Sequence, residues 1–263
     1  MKKVLGVDLA SGRWSDVGTA VVTFDEWTGR FTGVEVPGLC WPSHRGLTAD
    51  ALADALHEFA GLASLSAVAL DGPQGWRSPD TSERTPGVGR RCEYLCRTQG
   101  KMGVYPRTYP ATQRSFFEFC VDLFDALLAK PGVTLANDDD GATGTGGGYV
   151  LLECYPTSAW RSSGLKALPS KRRRPPLKPW FDALRETYAL PQPRSDIASH
   201  DDLQALVAAL CAAGTVGGPV VPLPAGVRAS SPGGRGAAAR RLEGFIWNVR
   251  SLRPVVPVDS PPR

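Results

Sequence analysis

Three apolar runs in this chain each deliver a carboxylate at or near their end. Lys3 to Ala10 is nearly continuously apolar apart from Asp8, Val68-Ala69-Leu70 leads into Asp71, and Val150-Leu151-Leu152 leads into Glu153. Such runs read as buried strands, and an ionised carboxylate inside one is expensive unless paired or metal-bound. In parallel neighbouring strands those ends lie on one edge of the sheet, where α/β folds bind ligands. Hard oxygen ligands converging there would hold Mg2+ or Mn2+. Plainer readings stand beside this one. Asp71 before Gly72-Pro73 also suits a turn, Glu153 could pair with an arginine, and Asp8 could be purely structural.

The rest of the chain supplies a frame for these strands. Gly18–Phe24 and Phe31–Val36 read as two further strands, so the opening predicts a three-strand meander. Thr48 caps a predicted helix with Leu52, Leu56 and Phe59 on one face. Helical spacing also predicts helices over Ser115–Lys130, Pro179–Leu190 and Leu203–Ala213, and Gly244–Val249 reads as a last strand. The expected fold is α/β, a mixed sheet in which a meander is followed by alternating helices and strands and is flanked by helices. At 263 residues, 42% of them hydrophobic, the chain can bury a sizeable core. One domain is expected over 1–253, with a Gly/Pro/Arg-rich insertion around 72–114, a flexible loop over 137–148 and a frayed tail over 254–263. No apolar run is long enough to span a membrane, and Asp8 interrupts any leader-like stretch, so a cytoplasmic protein is expected. The six scattered cysteines are expected to be reduced, buried thiols.

Charge is segregated although the net charge is only +4. Residues 84–114 and 155–194 are strongly basic, whereas 1–83 and 115–154 are acidic. A basic surface for a polyanion beside an acidic pocket for cations is one reading, and solvated arginine-bearing loops are the other. Arg90, Arg91, Lys101 and Arg107, with Lys171, Arg172, Arg173 and Arg174, are the candidates for gripping phosphates. Tyr105 and Tyr109 are candidates for stacking on bases or for anchoring their loop. Ser199-His200-Asp201-Asp202 fits a helix capping box, which offers Asp201 and Asp202 either to the helix terminus or to a site.

Gly6-Val7-Asp8-Leu9-Ala10, Leu70-Asp71-Gly72-Pro73, Arg91-Cys92-Glu93, Glu153-Cys154-Tyr155-Pro156, Asp201-Asp202-Leu203-Gln204-Ala205 and Glu243-Gly244-Phe245-Ile246 follow one another along nearly the whole chain. In that order they resemble a predicted RNase H-like nuclease family, domain of unknown function 429. The resemblance implies a ribonuclease H-like fold and a metal-dependent nuclease site, with Asp8 the first-strand carboxylate, Asp71 the fourth-strand one and Glu153 in a Glu-x-Tyr-Pro strand motif. It implies two-metal hydrolysis of a DNA or RNA phosphodiester, with Asp8 bridging and Asp71 and Asp201 or Asp202 each holding an ion. Resolvase-like members show Asp-Ala on the last helix, whereas Gln204-Ala205 stands here. Asp201, one turn earlier, could substitute. Two other classes remain open. A nucleic-acid-binding protein without catalysis would explain Gln204, and an actin-like or sugar-kinase-type phosphotransferase would use Asp8 and Asp71-Gly72-Pro73-Gln74-Gly75 as phosphate loops.

Overall fold

Val4, Leu5 and Val7 are fully buried in strand β1 (Lys2–Asp8), the first strand of the computed structural model of this chain. The structure describes residues 1–39, 41, 46–80, 89–137, 148–230 and 240–252. The predicted tail over 254–263, most of the 137–148 loop and residues 81–88 of the basic insertion lie outside them.

Among the described residues the sheet has eight strands. Strand β1 pairs antiparallel with β2 (Gly18–Asp25), which pairs antiparallel with β3 (Arg30–Glu35), as the meander predicts. On its other side β1 runs parallel to β4 (Ala67–Asp71). Strand β5 (Val133–Leu135) and strand β6 (Tyr149–Cys154) are parallel, and β6 also runs parallel to β4. An antiparallel pair, β7 (Val220–Ser230) and β8 (Leu242–Ser251), completes the sheet, with β8 parallel to the end of β6. The fold is therefore α/β with a mixed sheet.

Among the described residues six helices cover it: α1 (Ala49–Ala63), α2 (Arg91–Leu95), α3 (Arg114–Leu128), α4 (Pro156–Ser162), α5 (Lys178–Tyr188) and α6 (His200–Thr215). Alternation along β1 sends Leu5 and Val7 into a core with Leu52 and Leu56 of α1 and Phe124 and Leu127 of α3. Val4 points the other way, into a core with Leu206 and Ala209 of α6 and Trp160 of α4. Among the described residues, no helix is long and apolar enough to cross a membrane.

Two glycines set the position of α6. A Cβ on Gly6 would stand 1.9 Å from the Ala205 carbonyl oxygen, and one on Gly18 would stand 2.2 Å from the Asp201 carbonyl carbon. Bare backbone at both points lets α6 lie flush on the sheet, with its N-terminus beside the C-terminal end of β1. Ala205, Ala208, Ala209, Ala212 and Ala213 keep this buried helix slim.

Strand β7 and the short β5 were not expected from the sequence. Pro222, Pro224 and Gly226 punctuate β7 and disguise it. It lies at one end of the strand order, where proline can sit because one row of N–H groups has no ladder partner.

Candidate metal centre and the adjoining cavity

The parallel register pairs Asp8 directly with Asp71. Both follow the alternation of their strands onto the α6 side of the sheet, and their carboxyl groups share a hydrogen bond. Burial, then the charge of Asp71, pushes the Asp8 carboxyl well above the usual range. Burial raises Asp71 to about 6, against the hydrogen bond from Asp8 and the nearby Lys101 cation, which both favour its charge. Two carboxyl groups this close share a proton, with Asp8 as donor and Asp71 as acceptor.

The N-terminus of α6 closes the other side. Asp8, His200 and Asp201 each offer one ligand atom, and these atoms lie within 4.8 Å of one another. His200 Nε2 lies 2.9 Å from the Pro169 carbonyl oxygen, which accepts and so fixes the proton on Nε2. Its Nδ1 lies 3.4 Å from Asp201 Oδ1. The Asp201 carboxylate also draws a cation. Lys171 supplies one, its Nζ lying 3.0 Å from Asp201 Oδ2 on the solvent side.

The remaining predicted residues are placed differently. Both carboxylate oxygens of Asp202 are occupied: Oδ2 accepts from Ser199 Oγ at 2.6 Å and Oδ1 from the Thr19 N–H at 3.3 Å. Asp202 thus ties the helix start to β2, the capping reading of this pair. Gln204 turns away from the acids, and its Oε1 accepts from Trp160 Nε1 at 2.8 Å.

Glu153 is not brought into the cluster. Register pairs Asp71 with Cys154 and Leu70 with Glu153, so Glu153 points to the opposite side of the sheet. There it makes a bidentate pair with Arg90, at 2.8 and 2.5 Å, and its Oε2 accepts the Gln74 N–H at 2.9 Å. This is the arginine-paired alternative for Glu153. It also corrects the reading of Arg90 as a phosphate ligand, because Arg90 is only 1% exposed and its charge is spent on Glu153. Glu93 joins the network, accepting the Arg90 backbone N–H at 2.8 Å.

A cavity of about 120 Å³ opens beside Asp71, with Arg90, Lys101, Phe116 and Tyr155 among its walls. Lys101 reaches over the Tyr155 ring, 5.4 Å from its centre. Arg107 and the run Lys171 to Arg174 are exposed, and Arg91 is partly so. Tyr105 packs edge-on against Trp76 as a loop anchor, and Tyr109 stays half exposed.

His200 escaped the sequence reading as a site residue, its signal being only its place next to Asp201 at a helix start. Comparison of the chain with models of known families, with curated proteins and with solved structures finds no match.

Proposed function

We propose that this chain is a metal-dependent nuclease of RNase H-like architecture, hydrolysing phosphodiester bonds of a nucleic acid on the α6 side of the sheet edge. The observation that carries this reading is the Asp8–Asp71 pair: two neighbouring strand ends whose carboxyl groups are held by each other rather than by an arginine. Asp201 and His200 extend the donor set on the far side of Asp8. Clustered carboxylate oxygens fit Mg2+ or Mn2+, and the imidazole tilts the preference towards Mn2+. Asp8, Asp71, Asp201 and His200 would hold them. Bound there, such ions supply an activated water and stabilise the leaving oxygen.

The chain's own residues do the rest. Asp8 and Asp71 hold between them a proton that a bound cation would displace. Pro169 holds His200 with Nδ1 facing inwards. Arg172, Arg173 and Arg174, with Lys171 beside Asp201, form an exposed basic strip for backbone phosphates. One observation favours a second reading, a nucleic-acid-binding protein without catalysis: Gln204 stands where related sites carry an acid, and it is engaged with Trp160.

Labelled single- and double-stranded DNA and RNA, incubated with Mn2+, Mg2+ or chelator, separate the two. Cleavage that requires metal and vanishes in Asp8→Asn supports the nuclease. Salt-sensitive binding without cleavage under either metal supports the second reading, and neither binding nor cleavage overturns both.

A further inference from the structure

The cavity beside Asp71 is unused by the chemistry above, yet two sequence motifs converge on it. Arg90 and Glu93 come from the basic loop and helix α2, while Glu153 and Tyr155 come from β6 and the turn after it. We infer that this cavity is a base pocket, taking one nucleobase of the substrate strand beside the phosphate held at Asp8 and Asp71. The inference rests on the nuclease reading for the identity of that strand.

Charge decides what kind of ligand fits. Asp71, Glu93 and Glu153 face Arg90 and Lys101, so carboxylates outnumber cations and a phosphate group would be repelled. The walls include Phe116, Phe117, Pro73 and Ile246, which suit a flat apolar surface. A neutral planar heterocycle satisfies both conditions.

Hydrogen bonding narrows it further. Arg90 spends Nη1 and Nη2 on Glu153, but its Nε is buried without a hydrogen-bond partner. That atom exposes less than 1 Å², so it does not face the cavity, and contacts to the ring-nitrogen and carbonyl acceptors of a nucleobase edge fall to the other wall residues. Thr98 and Gln99 add side-chain donors and acceptors at the wall. One buried water needs only about 10–15 Å³ of such space, so a cavity of about 120 Å³ is larger than a single bridging water requires. Asp71 lines the cavity and also belongs to the acid pair, which places a base in the pocket next to the reacting phosphate.

The test uses adenosine, guanosine, cytidine and uridine at millimolar concentration with the full chain in chelator, read by saturation-transfer NMR. Expected is saturation strongest on the base protons of at least one nucleoside, with none on ribose 5-phosphate. Thr98→Trp, which fills the cavity, should abolish the signal. Phe116→Ala, at a partly exposed wall, should weaken binding roughly tenfold, within the range of one lost base–aromatic contact. It serves alone if the tryptophan variant does not fold. No base-proton saturation, equal saturation of ribose 5-phosphate, or indifference to the folded variants would overturn the pocket. Where the chain cleaves, one abasic position should suppress cleavage at an adjacent bond by roughly tenfold, and uniform cleavage would also overturn it. Because the NMR arm contains no metal, its failure leaves the nuclease reading standing, and absent cleavage leaves the pocket standing.

Discussion

Two acidic constellations lie at the same edge of the sheet, on opposite sides of it, and they are balanced in opposite ways. On the side away from α6, Glu153 is neutralised by a guanidinium as buried as itself, and Glu93 accepts backbone N–H groups beside it. On the α6 side, Asp8 and Asp71 share a proton, and the Lys171 cation pairs with Asp201 from an exposed position. The first arrangement is complete without a ligand, apart from the Arg90 Nε. The second holds its charge by protonation, and a cation of higher charge could replace that proton. Buried acid alone therefore does not mark a metal centre. What marks one is buried acid whose neutralising charge is removable.

The largest expected effect breaks the complete side. Arg90→Met leaves Glu153 and Glu93 buried without their cation and should cost about 3–5 kcal/mol in chemical denaturation. Arg90→Met with Glu153→Leu should recover much of that loss. If Arg90→Met melts like the wild type, the pair is not the structural element described.

Next comes the device that assembles the proposed metal site. Gly6→Ala places a Cβ against the Ala205 carbonyl and the Ala209 amide nitrogen, so α6 must move. A loss of about 3 kcal/mol is expected, accompanied by loss of any stabilisation by Mn2+, because Asp201 and His200 travel with the helix. A variant that keeps the full Mn2+ response would show that α6 does not contribute to the centre.

Some of this contrast was legible in the sequence. The meander, the capped helices and the three acid-bearing strands follow from local periodicity and apolar runs. Asp8 stood out because hydration makes a carboxylate costly in an apolar strand. The side on which Glu153 emerges was not legible, since it depends on register with a strand far away in sequence. A shift of one residue would have exchanged Glu153 with Cys154. Nor could sequence separate Arg90 from Arg91. Adjacent and chemically identical, one is buried against Glu153 and the other lies near the surface because the short helix α2 begins between them. His200 depended on the close approach of α6, which Gly6 and Gly18 permit and which no local pattern announces.

A smaller effect comes from Asp71's own proton, which leaves while Asp8 keeps the one they share. Asp71 has a folded value of about 6 against an ordinary 3.8, so the folded chain binds the proton more tightly than the unfolded one. Its contribution is fully present below about pH 3.8 and is lost as pH rises through about 6. Asp71 keeps some surface towards solvent, so roughly 1–2 kcal/mol is expected rather than the full value of such a shift. Asp71→Asn should flatten metal-free stability between those pH values. An unchanged slope would place the proton elsewhere.

The smallest change in stability belongs to the variant that bears most on the central claim. Asp8→Asn removes one of the crowded acids while keeping its shape, so in chelator it should melt within about 1 kcal/mol of wild type or slightly above it. Melting curves of wild type and Asp8→Asn, each in chelator and in Mn2+, are the direct measurement. At about 100 times its Kd, Mn2+ should raise the wild-type Tm by roughly 5–10 °C and leave Asp8→Asn unmoved. A large destabilisation of Asp8→Asn in chelator, with its Mn2+ shift intact, would contradict the account and make Asp8 a structural acid like Glu153.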